Sequence, residues 1–405
     1  MNVKKSSILQ LFFIMSILFF SRSFTFLLVK EEGIGSSAIF QLFSLLIYVL
    51  SFAIILKRVP IYYVIKESKW ILLFISLMFA SSVWSDLPGK TFSRSVAMLG
   101  TVLFSYSLYI CYSAKEATRL IIIPLGVGAF LSLFLALFLP TLGVHGSESN
   151  AAHIGLWKGV YGFKNHLGRF MVILVLALIA TSLNNRKIKH SELILVLVAI
   201  FCTIKSGSST ALFLLAVCPA IIFAIYTFTS EKFSIFFKMS TFAILIFMSI
   251  LVVLITPWIV TEIFNKDMTG SGRTLLWDSL FNASQNPYFG HGFGGVFWGE
   301  FSSAFFLMDE YYYMLGHAHN GFVDIWLELG YFGVFIFIAL LMKMLYTGKI
   351  VFSSSFFSEN TFFFVVIIFL ILYSISGGGF VKQNNLMWVL FCMSWFYLHS
   401  ERNKQ

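Results

Sequence analysis

Leu120 to Leu139 reads L-I-I-I-P-L-G-V-G-A-F-L-S-L-F-L-A-L-F-L, twenty consecutive residues without a charge. A helix that crosses the hydrocarbon core of a bilayer takes about 20 apolar residues, so this run has the length of one crossing. Working outward from it in both directions, the same texture returns along the whole chain. Apolar runs cover about 7–29, 36–56, 69–84, 95–113, 118–139, 167–183, 191–205, 208–229, 235–258, 319–342, 360–376 and 385–400. Each is rich in Phe, Leu and Ile, and short polar breaks separate them. The pattern predicts an all-α polytopic integral membrane protein, a single transmembrane domain over 1–405 with about 12 spanning helices.

Composition excludes the other classes. Of 405 residues, 59% are hydrophobic and only 11% charged, and mean hydropathy is +0.88. A water-soluble protein of this size needs far more polar surface, and a disordered chain far fewer apolar residues. A β-barrel shows alternating segments of about 10 residues rather than unbroken apolar runs. Four Cys without C-x-x-C spacing make no disulfide scaffold, and Cys111, Cys202, Cys218 and Cys392 all fall inside apolar runs, as core residues do. Trp84, Trp157, Trp258 and Trp298 lie near span ends, where interfacial anchoring is expected.

Net charge is +10, which in a soluble domain would suggest nucleic acid. Here the placement of the charges points to topology instead, and no nucleic-acid partner is expected. With the N-terminus in the cytoplasm and the spans alternating, seventeen of the 28 Lys and Arg fall inside, ten outside, and Arg22 within the first span. The positive-inside rule therefore puts both termini in the cytoplasm. The first run follows Lys4 and Lys5 but no cleavage site follows it, so it reads as an anchor. Inside loops are short apart from Lys57–Ser68 and Lys343–Glu359, and no phosphate-cradling G-x-x-x-x-G-K-[ST] run exists, which excludes ATP-driven transport by this chain alone. Two outside loops are long, 140–166 and 259–318. Loops of that length are commonly functional, so the chemistry is expected to face outward. No internal repeat is visible.

Leu315 to Gly333 carries the strongest constellation, L-G-H-A-H-N-G-F-V-D-I-W-L-E-L-G-Y-F-G. His317 and His319 sit two apart where the long loop meets the tenth span. Asn320, Asp324 and Glu328 follow at four-residue intervals and form one polar stripe on the helix. Acids there are costly unless they face the bundle interior or water. Competing readings are a plain N-cap by Asn320 with interfacial histidines, and a metal site. Spacing gives the metal reading little support, and neither metal nor cofactor is expected. Thr269 to Trp277, T-G-S-G-R-T-L-L-W, offers a glycine turn whose backbone amides could receive an anion and, in Arg273, a fixed charged fork suited to phosphate. Asn286 to Gly295, N-P-Y-F-G-H-G-F-G-G, reads as a closely packed loop. Gly159 to Arg169 places Lys164, Asn165, His166 and Arg169 at the outer mouth of the sixth span. Lys205 to Leu212, K-S-G-S-S-T-A-L, makes a short outer turn, and Arg94 opens the fourth span on the same side. Any one of these cations could merely snorkel to headgroups. Taken together, Arg94, Lys164, Arg169, Lys205 and Arg273 run against the inside bias, which an anionic ligand at the outer leaflet would explain. Ser376 to Asn385, S-G-G-G-F-V-K-Q-N-N, reads as a flexible outward loop that could gate a lateral opening.

These residues give the chain a family likeness. His319-Asn320, nine residues, then Gly330-Tyr331-Phe332-Gly333 fits the signature of the O-antigen ligase and O-antigen polymerase superfamily, membrane proteins that transfer bacterial glycans. Around it stand W-S-D-L-P-G-K-T at 84–91, G-F-K-N-H-L-G at 162–168, S-G-S-S-T-A-L at 206–212, G-S-G-R-T-L-L-W at 270–277 and G-H-G-F-G at 290–294. Their order is similar to the exopolysaccharide-polymerase branch over roughly 75–340. The resemblance implies a metal-independent glycosyltransferase of the bacterial plasma membrane, working on the periplasmic side. Its donor would be an undecaprenyl-diphosphate-linked glycan and its acceptor a glycan or another lipid-linked saccharide, amid membrane lipids; a chain-length regulator is a further partner it admits. It puts the catalytic histidine at His319 and a diphosphate-contacting arginine at Arg273. A second family cation belongs in the turn between spans seven and eight, where this chain has Ser209; Lys205, Lys164 or Arg169 would have to replace it. His317, Asn320 and Asp324 join these as substrate-side candidates, with Asp324 orienting the histidine segment. The rivals are a ligase that moves finished polymer to a lipid A core or other acceptor, and a lipid-linked glycan transporter. Mid-span regions nearly free of charge disfavour the transporter.

Overall fold

The computed structural model describes residues 7–23, 38–147, 149, 153–185, 187–244, 273–298, 316–353 and 357–399. The chain forms an up-and-down helical bundle. Its helices are α1 (Ser7–Phe20), α2 (Ala38–Arg58), α3 (Ile61–Ala80), α4 (Pro88–Cys111), α5 (Ala114–Phe138), α6 (Lys164–Asn185), α7 (His190–Ser206), α8 (Ser209–Thr229), α9 (Ile235–Ile244), α10 (Arg273–Ala283), α11 (Gly321–Ser353), α12 (Phe357–Ser376) and α13 (Leu386–His399). All but α10 coincide with one of the twelve apolar runs. The second half of the ninth run lies outside the described residues.

Among the described residues, six helices are long and apolar enough to cross a membrane: α2, α4, α5, α6, α8 and the portion Gly321–Gly348 of α11. α1, α9, α12 and α13 are shorter and apolar. α3 and α7 carry charges in their first halves, Lys66, Glu67 and Lys69 in one and Glu192 in the other.

Two helices are buried on every side along most of their length, and they form the centre. In α6 every residue from Leu167 to Leu178 is buried, and in α13 every residue from Leu386 to Leu398. A helix apolar on nearly every side must be enclosed by others. α5, α7, α8 and α12 pack on α6, and α4, α12 and α11 on α13. By contrast α2 leaves Leu42, Phe43, Leu45, Leu46 and Val49 exposed, a face suited to lipid. All four cysteines are buried.

Several boundaries differ from the sequence reading. Lys57–Ser68 and Lys343–Glu359 are not long loops: α2 runs to Arg58, α3 starts at Ile61, and α11 continues to Ser353. Charged residues in those turns ended the apolar run without ending the helix, because long Lys and Arg stems lie along apolar surface with the head in water. α4 begins at Pro88, whose fixed φ and missing N–H suit a first helical position. Trp84 and Trp157 are not free interfacial anchors. Trp84 Nε1 donates to the Phe289 carbonyl at 3.1 Å, and Trp157 is buried with its amide on the Lys205 carbonyl.

Up-and-down alternation gathers one set of helix ends: the N-termini of α4, α6, α8, α11 and α13 and the C-termini of α3, α5, α7 and α12. Every candidate side chain named above sits at this end.

Candidate active site

The signature glycines shape the site first. Gly330 has φ 63° and ψ −166° inside α11, a region essentially restricted to glycine. The helix breaks there, which frees backbone groups on both sides. The Asn286–Gly295 loop fills the break with its own backbone. His291 N donates to Leu327 O at 2.9 Å and Gly292 N to Glu328 O at 3.0 Å; Tyr331 N donates to Pro287 O at 3.0 Å. The contact is too close for side chains: a Cβ at Gly330 would lie 2.1 Å from the Tyr288 carbonyl oxygen, and one at Gly290 2.4 Å from the Glu328 carbonyl carbon. The tenth span is therefore not one continuous helix, as its unbroken apolar run suggested. Glu328 is turned toward the inserted loop, where its Oε1 accepts from Gly295 N at 2.6 Å. Arg94 lies alongside and within electrostatic reach of that carboxylate.

One turn earlier, Asp324 is buried and holds two strands of backbone together. Its Oδ1 accepts from Ala318 N at 2.8 Å and its Oδ2 from Gly379 N at 3.2 Å. Asn320 caps the helix, its Oδ1 accepting from Phe322 N at 3.0 Å. Asn320 thus caps the helix, and Asp324 holds the backbone at Ala318, between the two histidines. From the opposite side, Trp277 Nε1 donates to Ala318 O at 2.8 Å. Leu276 and Leu280 of α10 pack with Val323 and Leu327 of α11. Both backbone groups of Ala318 are therefore taken, and the two histidines on either side of it are fixed.

Their rings meet edge to face with centroids 4.1 Å apart. His317 Nδ1 accepts the His319 amide at 3.1 Å, so that nitrogen is unprotonated and occupied. Among the described residues no hydrogen bond engages the ring nitrogens of His319. His319 has φ 54°, a left-handed conformation uncommon for a residue with a side chain. Strain of this kind persists where surrounding contacts impose it, often at functional sites.

Cations surround this pair. Arg273 opens α10 four residues before Trp277 and so shares its face, toward Ala318. Burial, then Arg273 and Lys382, bring the His319 imidazole down to about 4. Burial, then Lys382, His319, Arg273 and Arg169, hold His317 well below its ordinary value. His319 is thus a neutral imidazole at pH 7, free to accept a proton. Arg169 is only 7% exposed. Its Nη1 donates to Tyr373 Oη at 3.1 Å, while its Nε has no partner among the described residues. Tyr373 also lies within electrostatic reach of Arg273. Arg22, with φ 59°, lies close enough to Arg169 and His166 for its charge to act on both.

The structure thus brings His317, His319, Asn320, Asp324, Arg273 and Arg169 together, with Arg94 one turn away beside Glu328. It does not bring Lys205 there. That side chain is exposed, with its ammonium 5.8 Å from the Phe201 ring centroid. Lys164 and Asn165 are half-buried in the first turn of α6, the Lys164 amide facing His145 Nε2 at 3.3 Å. The Gly270–Gly272 turn lies outside the described residues.

Sequence reasoning missed Lys382, Tyr373, Arg22 and the role of Glu328. It read 376–385 as a flexible loop, whereas Phe380, Val381, Asn384 and Asn385 are buried. Gly379 N is bonded to Asp324, and Asn384 N to Thr101 Oγ1 at 3.4 Å. The Tyr48 hydroxyl donates to Asn384 Oδ1.

A neutral base ringed by cations in a partly desolvated mouth can take a proton from a hydroxyl while a polyanionic leaving group is held nearby. No curated protein matches the chain. Residues 154–338, from the loop before α6 to the middle of α11, match the family described as O-antigen ligase, so this stretch is similar to the O-antigen ligase and polymerase superfamily.

Proposed function

We propose that this protein polymerises undecaprenyl-diphosphate-linked oligosaccharide repeat units at the periplasmic face of the bacterial inner membrane. The family match over residues 154–338 supports a glycan-transferring membrane enzyme acting on lipid-linked substrates. The polymerase assignment, the lipid carrier and the orientation are our reading. The observation that carries it is the convergence of Arg273 and Lys382 on His319, with Arg169 acting on the adjoining His317.

In this reaction the acceptor hydroxyl oxygen bonds to the anomeric carbon of the donor. The bond from that carbon to the diphosphate oxygen breaks, and the hydroxyl proton passes to His319. Negative charge grows on the departing diphosphate as the bond breaks. Fixed cations in a water-poor site stabilise it at little reorganisation cost. A positioned base contributes about 10²–10⁴-fold to such a transfer. Arg273 and Arg169 hold the diphosphate, and Asp324 fixes the His319 segment through Ala318. The excess of cations at the opposite end of the bundle supports placing that end in the cytoplasm and the site outside.

The test is deletion and complementation in the native host, with surface glycan separated by size and lipid-linked intermediates extracted. We expect single-repeat glycan on deletion, with long chains restored by the wild type and not by His319→Ala at equal membrane level. Long polymer left on the lipid carrier, with none on the final acceptor, would make the protein a ligase. Full complementation by His319→Ala would remove the base assignment.

A further inference from the structure

The cations of the site are not fully accounted for by the signature motifs, and the excess is at Lys382. This residue lies on the strap of residues 377–385 between α12 and α13. The strap is pinned at both ends, by Gly379 N on Asp324 Oδ2 at 3.2 Å and by Asn384 N on Thr101 Oγ1 at 3.4 Å. Between these points Phe380 is buried against Phe337 and Phe391, with ring centroids 5.6 and 5.5 Å away. Val381 is buried as well. The backbone turns tightly, with Lys382 N donating to Phe380 O at 2.8 Å. A half-buried lysine on so constrained a segment has its stem directed, not free to wander.

Its ammonium charge reaches His317, His319 and His166, and also Asp324 and Glu328. No other cation among the described residues reaches all five. Yet neither acid forms a direct ion pair with it. Both Asp324 oxygens receive backbone amides, and Glu328 Oε1 receives Gly295 N. Among the described residues no salt bridge joins Lys382 to a carboxylate. Arg169 adds a buried guanidinium whose Nε lacks a partner among the described residues. A cluster of half-neutralised cations around two neutral imidazoles is costly without an anion, and a compact polyanion satisfies it. Lys205 and Ser209 cannot serve: both are exposed, on the turn where the family's second cation would sit.

We propose that Lys382 binds the diphosphate of the lipid-linked donor together with Arg273 and Arg169, supplying from the last periplasmic strap the cation that position 209 lacks. This rests on the glycan-transfer reading for the identity of the donor, but the anion site itself does not depend on it.

The test uses the full-length chain in nanodiscs of neutral lipid, titrated with inorganic pyrophosphate. Lys382→Gln is expected to weaken binding at least about tenfold, the usual worth of one charged hydrogen bond, and Lys382→Arg no more than about threefold. With lipid-linked donor in membranes, Lys382→Gln is expected to raise KM by a similar factor and to move the acidic limb of kcat/KM upward, since His319 loses a neighbouring positive charge. If Lys382→Gln fails to accumulate, Lys382→Met keeps the apolar stem and takes its place. Unchanged pyrophosphate affinity in the neutral variant, or equal loss in Lys382→Arg, overturns the proposal. Lys382-dependent pyrophosphate binding by a protein that transfers no glycan would uphold the site and overturn the glycan reading alone.

Discussion

Replacing Gly330 by alanine tests the break in α11 most directly. The added Cβ would lie 2.1 Å from the Tyr288 carbonyl oxygen and 2.4 Å from Phe289 N. These are backbone atoms, so no side-chain rotation relieves the clash. Holding alanine at φ 63° and ψ −166° costs about 1–3 kcal/mol. Forcing the loop away adds about 1–3 kcal/mol of overpacking strain. One or two of the hydrogen bonds bridging the break would lengthen or part, at about 1 kcal/mol each. The sum, about 3–8 kcal/mol, is comparable with the whole stability of many folded domains, about 5–15 kcal/mol. The assay is SDS titration of purified protein in mixed micelles beside glycan transfer in membranes. Gly89→Ala is the control: nothing lies within 4 Å of the place its methyl group would take, so the change is expected to be neutral or stabilising by up to about 1 kcal/mol. An unfolding free energy for Gly330→Ala within about 1 kcal/mol of wild type would refute the inserted-loop account of the signature glycine.

Three further outcomes follow from the histidine segment. His319 sits near 4 because burial, Arg273 and Lys382 all disfavour its charged form; the acidic limb of kcat/KM for the free enzyme is therefore expected below pH 5, and a limb at about 6.5, the ordinary histidine value, would contradict it. The sign for stability is that the unfolded chain takes up the proton first, so this contribution is present above about 6.5 and lost as pH falls toward 4, which denaturant titration across that window would read. Asp324→Asn leaves one oxygen for two amide donors and turns an NH₂ toward the other; we expect glycan transfer to fall about ten- to a hundredfold, from about 1–3 kcal/mol of lost positioning. Normal transfer at normal membrane level would remove Asp324 from the site.

The bundle was legible because a bilayer imposes a length and an apolarity that a chain cannot disguise. Each apolar run holds a helix among the described residues, and the errors were at charged helix ends, where hydropathy drops while backbone hydrogen bonding continues. The site was legible where chemistry and local spacing coincide: His317 to Asp324 is one loop and one helical turn, and Arg273 shares a helix face with Trp277. It was illegible where packing alone brings groups together. Gly330 looks like any glycine within an apolar run, because neither its φ nor the loop that enters beside it leaves a trace in hydropathy. Lys205 and Lys382 are both single lysines in polar breaks at the same end of the bundle, equivalent by topology. What separates them is that the strap after α12 folds back onto Asp324, whereas the turn after α7 receives Trp157 and leaves its lysine outside. A cation's sign and side can be read from a sequence; whether its neighbours are already satisfied cannot, and that is what distinguishes a snorkelling lysine from a ligand.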